Sequence, residues 1–139
     1  MKSKSLLCMI LIIACLAMWT IPYYAAEVNE NIVYRWSYLR SVSCDVYFNG
    51  IQGSVLASVY GNSSVTRIVA KIDFYYKNIF SIWVKVNQGW SYDVNSDELD
   101  IYEIFSAVSG REYKAVLSAT VYAGTNSESV SLTATGTCP

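Results

Sequence analysis

The sequence predicts an all-β fold, an immunoglobulin-like sandwich of two antiparallel sheets with about seven strands. Val, Ser, Thr, Tyr and Ile dominate the chain after residue 26, and Pro139 is the only proline in that part. These residue types favour strands over helices. Short clusters of Gly, Asn and Ser separate segments in which apolar and polar residues alternate, as they do in half-buried strands. Short, regularly spaced strands of this kind are typical of a sandwich.

The first four predicted strands lie between residues 42 and 86. Turn signals separate them, with NGIQG after the first strand and GNSS after the second. Apolar residues recur at every second position, so that one face of each strand turns to the core. The predicted inward residues are, strand by strand, Val42, Cys44, Val46 and Phe48; Val55, Ala57 and Val59; Ile68, Ala70, Ile72 and Phe74; and Phe80, Ile82, Val84 and Val86.

The last three predicted strands follow the segment GWSYDVNSDELD, which we interpret as a connection between strands. The next stretch, LDIYEIFSAV, is compatible with a strand that has Glu103 at an inward position, or with a helical stripe. The strand is favoured because its neighbours in the chain are strands. The inward residues of the two final strands are Tyr113, Ala115, Leu117, Ala119 and Val121, and then Val130, Leu132, Ala134 and Cys138.

Residues 1–26 have the pattern of a secretory signal peptide, which leaves one domain at residues 27–139. Lys2 and Lys4 form a basic start, and an apolar stretch and two alanines follow. The protein is therefore predicted to be secreted and extracellular. Two alternatives remain open. One is lipidation of Cys15 in the sequence IIAC, and the other is retention of the segment as an anchor, although a bilayer span needs about 20 apolar residues.

The net charge limits the partners that we expect. Without residues 1–26 the chain keeps eight of its 10 basic residues against 11 acidic ones, a net charge of −3. So small a charge does not attract nucleic acid or an anionic membrane surface. A glycan or an extracellular protein remains as the expected class of partner.

Two of the four cysteines belong to the predicted domain. Cys44 and Cys138 fall on inward positions of the first and last strands, which can be neighbours in a sandwich. In an oxidising compartment such a pair predicts a disulfide. A metal site would need further ligands, and the chain contains no histidine.

Several longer segments resemble a known group of proteins. They are RWSYLRSVSCDVYFNG, SVTRIVAKIDFYYK, the pair Trp83 and Trp90, and SGREYKAVLSATVYAGTNSESVSL. Together they resemble small secreted, single-domain β-sandwich proteins of Gram-positive bacteria. The resemblance covers nearly all of residues 27–139 and implies a fold more than an activity. Tyr113, after SGRE, is also placed as a tyrosine corner, whose hydroxyl bonds back to the preceding connection.

An enzyme is not expected. Without histidine the chain cannot form a Ser-His-Asp or Cys-His arrangement, and it has no Gly-x-Ser-x-Gly segment or phosphate-binding loop. Carboxylates crowd residues 93–103, but acidic residues that are concentrated in one loop are usually solvated. No cofactor is predicted apart from a weak calcium alternative.

The calcium alternative rests on Asp93, Asn95 and Asp97. Their alternate oxygen side chains match the first three ligand positions of a calcium loop. The match then ends, because Glu98 stands where the loop needs glycine and Ile104 stands at the twelfth position.

A ligand-binding alternative rests on Trp83, Trp90 and Tyr92, which lie within ten residues of one another. Exposed rings in a row can stack on the apolar faces of sugars. Packing at an end of the core is the other interpretation. The sequence thus predicts a secreted, non-catalytic binding or structural domain. There are two alternatives. One is a carbohydrate-binding or adhesive module, and the other is a secreted inhibitor or effector that binds a protein partner.

Overall fold

A computed structural model describes residues 36–86 and 89–139 of the chain. The predicted signal peptide, the alternatives for Cys15 and the domain start at residue 27 lie outside the described residues. Within them, no helix is long and apolar enough to cross a membrane. The strands are β1 (Leu39–Asn49), β2 (Gln52–Gly61), β3 (Arg67–Lys77), β4 (Trp83–Lys85), β5 (Trp90–Val94), β6 (Glu98–Ser106), β7 (Glu112–Ala123) and β8 (Asn126–Thr137).

These strands form two antiparallel sheets. One sheet has the order β1-β2-β6. In the other, β3 pairs with β7 on one side and with both β4 and β5 on the other, and β8 pairs with β7. The predicted all-β, two-sheet sandwich is therefore confirmed. The structure has eight described strands because the segment GWSYDV, predicted to be a connection, is itself the short edge strand β5.

The core lies between the two sheets and follows the predicted alternation closely. In β3 and β7, every predicted inward residue is at most 4% exposed. LDIYEIFSAV forms a strand through residue 106, as favoured. The largest fully buried side chains, apart from that of Cys138, are Ile68, Ile72, Leu117, Val55, Val59 and Val121.

The predicted strand over residues 80–86 is wrong in its first half. Phe80 and Ile82, expected inward, are 75% and 59% exposed, and β4 begins only at Trp83. The side chain of Asn78 explains the difference, because its Oδ1 accepts hydrogen bonds from the backbone N–H groups of Phe80 and Ile82. These bonds close a turn in place of the strand, as asparagine side chains commonly do.

The structure contradicts the predicted disulfide, since Cys44 and Cys138 are both unpaired. β1 and β8 do lie next to each other, in different sheets. However, the sulfur of Cys138 lies 3.4 Å from the carbonyl oxygen of Gly50, six residues beyond Cys44. Six extended residues span about 20 Å, whereas a disulfide needs Cα atoms within about 7 Å of each other. The strands are neighbours, but the two cysteines lie at different levels along them.

We expect the Cys44 thiol to react slowly in the folded protein. Burial, reinforced by the nearby Asp45 carboxylate, raises the pKa of Cys44 from 9.0 to about 11, against a smaller opposing effect of a hydrogen bond with the Leu117 backbone. Only the thiolate is alkylated, so at pH 8 the folded chain should react about 100-fold more slowly at Cys44 than the urea-unfolded chain. Peptide mass spectrometry after timed iodoacetamide treatment measures both rates. Equal alkylation rates in the folded and unfolded chain would contradict the burial of Cys44. Cysteines that do not react even after unfolding would show that they form a disulfide.

Candidate functional site

The predicted calcium ligands lie at the end of β5 and in the turn that follows. Asp93 is held by Arg67, whose Nε and Nη2 donate to its two carboxylate oxygens at 2.7 and 2.6 Å. This hydrogen bonding lowers the pKa of Asp93. Asn95 is exposed and Asp97 is half-buried. In the described part of the chain, no three His, Cys, Asp or Glu side chains are placed so that they could hold a metal ion together. The Arg67 guanidinium already binds both carboxylate oxygens of Asp93, the first of the predicted ligands.

The three predicted platform aromatics do not form one surface. Trp83 lies on the outer face of its sheet, with the Nζ atoms of Lys114 and Lys77 at 4.5 and 5.3 Å from the ring centroid. Trp90 packs inward, with its ring 5.7 Å from that of Phe74. Tyr92 is half-buried in the same edge strand as Trp90. A sugar stacked on Trp83 would therefore not reach the other two rings.

Tyr92 instead joins the edges of the two sheets. Its hydroxyl donates a hydrogen bond to Glu103 of β6. Burial, together with this bond, raises the pKa of Tyr92 well above its usual range. Glu103 occupies a register position opposite fully buried Val55, so a carboxylate stands among inward positions of an edge strand. Charged residues placed in this way discourage pairing with a further strand.

Tyr92→Phe should lower the free energy of unfolding by about 1 kcal/mol, because the half-buried Glu103 carboxylate would lose its hydrogen-bond donor. Urea unfolding at neutral pH measures the change. The matched control is Tyr102→Phe, since the Tyr102 side chain on β6 is 64% exposed. Equal effects of the two substitutions would contradict a role for the Tyr92–Glu103 bond.

Tyr113 is buried at the start of β7, and its hydroxyl accepts a hydrogen bond from the backbone N–H of Val108 at 2.9 Å. This is the bond that a tyrosine corner makes. The loop is also held by the C-terminus, because the Gly110 N–H donates to the Cys138 carbonyl and the Cys138 N–H donates to the Arg111 carbonyl. Residues 107–111 are thus fixed to the body of the sandwich.

Sequence reasoning missed a cluster of exposed apolar side chains at this end of the sandwich. We call it the apolar tip. Its position follows from contacts between three loops: the Ala107 N–H donates to the Ile51 carbonyl, and Ile79 and Val108 line one shallow depression. The members of the apolar tip are Ile51 (68% exposed), Ile79 (91%), Phe80 (75%), Ile82 (59%) and Val108 (52%).

The loop that carries three members of the apolar tip is held in one conformation. Besides the two bonds to its side chain, Asn78 accepts a backbone bond from Ser81 and donates one to Ile82. Ser81 has a φ of 60°, an uncommon value for a residue other than glycine. Such backbone conformations persist where the surroundings impose them and often mark binding sites. The sequence signal was Asn78 itself, a turn former directly before the apolar group.

No protein-family model matches the chain, and no curated protein matches it. Several solved structures are similar to it, including those of CsgH and Spo0M. The solution structure of CsgH from R. palustris shares 13% identity over 70% of this chain and 92% of CsgH, with a TM-score of 0.39. The crystal structure of Spo0M, a sporulation control protein from Bacillus subtilis, shares 14% identity over 68% of this chain and about half (48%) of Spo0M, with a TM-score of 0.32. Likeness at this level carries no argument about ligand or activity.

Proposed function

We propose that the chain is a secreted, non-catalytic binding domain that meets a protein partner through the apolar tip. The tip itself is the observation that carries the proposal, because five of the nine large exposed apolar side chains among the described residues lie there. Contiguous exposed apolar surface marks interaction sites. The proposal favours the predicted inhibitor or effector over the carbohydrate-binding module, because Trp83 lies on the outer face of its sheet whereas Trp90 and Tyr92 pack against the core.

We also propose that the sandwich is immunoglobulin-like, and the strand order supports this proposal. Strands β1, β2 and β6 share one sheet, and β3, β7 and β8 share the other. Constant-type immunoglobulin domains distribute their strands A, B and E, and C, F and G, in the same way. Loops at the ends of such sandwiches bind partners in variable domains, and the apolar tip is formed by loops at one end.

A recess on a protein fits the apolar tip better than a lipid surface does. Near the tip, Lys77 is paired with Glu112 at 2.8 Å, and the Arg111 guanidinium lies over the ring of Tyr76. Lys77, Arg111 and Glu112 together leave one net positive charge at this end, and a single charge attracts anionic lipid headgroups only weakly. A loop held by the Asn78 bonds also loses little conformational freedom when it enters a recess.

Site-specific photocrosslinking on intact producing cells tests the proposal. A benzophenone amino acid replaces Phe80 in one chain and Asn95, in the turn before β6, in a control chain, and both positions are exposed. We expect a discrete protein adduct from position 80 alone. Excess wild-type chain should compete for the adduct, and the double variant Ile79→Ser with Phe80→Ser should compete at least 10-fold less well.

Three outcomes would overturn the proposed partner class. They are the same adducts from both positions, binding of the chain to neutral or anionic phospholipid vesicles that depends on Phe80, and binding to a glycan array that depends on Phe80. Circular dichroism of the Ile79→Ser, Phe80→Ser variant establishes that it is folded. We expect it to be, because neither side chain is buried.

A further inference from the structure

The outer faces of the two sheets carry opposite charge. On the sheet β1-β2-β6, Asp45, Glu98 and Asp100 face outward with a single cation, Arg40, for a net charge of −2. We call this surface the acidic face. On the other sheet, five cations stand against three carboxylates, for a net charge of +2, and we call it the basic face. Its charged residues are Arg67, Lys71, Lys77, Lys85, Lys114, Asp73, Asp93 and Glu112.

Each face leaves one charged side chain that has neither an ion pair nor a hydrogen bond to another side chain among the described residues. On the basic face, Asp73, Asp93 and Glu112 are all paired, whereas Lys114 contacts only the rings of Tyr75 and Trp83, at 4.7 and 4.5 Å.

On the acidic face, Asp45 is the corresponding residue, since Glu98 pairs with Arg40 and Asp100 accepts a bond from Tyr60. Asp45 lies in a shallow depression of about 400 Å³ that is also lined by the Asp100 carboxylate, by two serines and by the larger side chains of Tyr47, Leu56 and Tyr102. The Asp45 carboxylate on the acidic face and the Lys114 ammonium on the basic face are thus opposite charges that both lie beside aromatic rings.

We propose that the acidic face of one copy of this chain docks on the basic face of a second copy. Three strands about 4.8 Å apart and roughly ten residues long present about 500 Å², so that such a contact would bury about 1,000 Å² in total, at the lower limit for a specific interface. The two docking surfaces differ, so the contact is heterologous and leaves a free face at each end, from which chains or rings can grow. The edges formed by β6 and by β4 with β5 are poor alternatives, because a carboxylate, Glu103, stands among the inward positions of β6 and the other edge is divided between two short strands.

Sedimentation velocity on the chain recovered from the producing cells tests this proposal independently of the apolar tip. We expect concentration-dependent association in about 20 mM salt, and an association constant at least 10-fold lower in about 300 mM salt, because salt screens exposed charges. Asp45→Lys alone and Lys114→Glu alone should each be monomeric. Mixing the two should restore association, since each variant retains the face that the other lacks.

Asp97→Lys is the control, because it changes the net charge as Asp45→Lys does but lies in the turn before β6. It should associate like the wild type. A chain that stays monomeric at every concentration, association that salt leaves unchanged, or equal effects of Asp45→Lys and Asp97→Lys would overturn the proposal. The salt series uses only the wild-type chain, so it tests the proposal even if a substitution unfolds the protein.

Discussion

Phe105→Ala will lower the free energy of unfolding by about 3–5 kcal/mol, a large share of the 5–15 kcal/mol that is typical of a domain. The Phe105 side chain is 5% exposed, and its ring lies 4.3 Å from that of Phe74 and 5.2 Å from that of Tyr113. Phe48 meets it edge-on at 5.9 Å. Alanine would remove the centre of this cluster and leave a cavity between the sheets. Urea unfolding followed by circular dichroism measures the change.

Gly53 provides a second test of the same contact. It is buried on β2 opposite Phe105, and a Cβ atom there would overlap the phenyl ring. Gly53→Ala should therefore destabilise the wild type but cost less when Phe105 is already alanine, since the added methyl group then enters the cavity. The exposed Tyr102→Ala is the control and should change the free energy of unfolding by less than about 0.5 kcal/mol. Additive effects of Gly53→Ala and Phe105→Ala would contradict the packing.

Glu128→Gln will lower the free energy of unfolding by about 2 kcal/mol at neutral pH. The Glu128 carboxylate accepts hydrogen bonds from the backbone N–H groups of Ser37, Tyr38 and Leu39 at 3.0, 2.9 and 2.8 Å. It thereby ties the start of β1 to β8 across the two sheets. Bonds to a charged acceptor are worth more than neutral ones, and an amide offers only one acceptor oxygen with a donor beside it.

The loss caused by Glu128→Gln should depend on pH in a defined direction. Desolvation raises the pKa of Glu128, but the three N–H groups outweigh it, and the net shift is below the ordinary value of 4.5. The charged form is therefore favoured by folding. Its contribution is present above pH 4.5 and is lost as the pH falls through the lowered pKa.

Urea unfolding of the wild type and of Glu128→Gln at pH 7 and at about pH 3 measures this dependence. The difference between the two proteins should shrink at the lower pH. Glu98→Gln is the matched control. Glu98 forms an exposed ion pair with Arg40, and the control should lie within about 0.5 kcal/mol of the wild type. A difference that is constant with pH would contradict the role of the Glu128 charge.

Alternation predicted the core because it is a local property of each strand. The apolar residues of β3, for example, occupy every second position from Ile68 to Phe74, and all are at most 2% exposed. The same rule failed at Phe80 and Ile82, where apolar alternation continued but the Asn78 side chain closed a turn. Hydrogen bonds from a side chain to the backbone compete with strand pairing, and periodicity does not detect them.

The sequence by itself determined the all-β class and the inward face of most strands. Only the tertiary structure decided that Cys138 lies level with Gly50 rather than with Cys44, that Tyr92 bonds to Glu103, and that five exposed apolar side chains lie at one end. The physical reason is that a repeat of two residues specifies which face a side chain occupies. It does not specify how far one strand slides along another, and that displacement decides which residues meet.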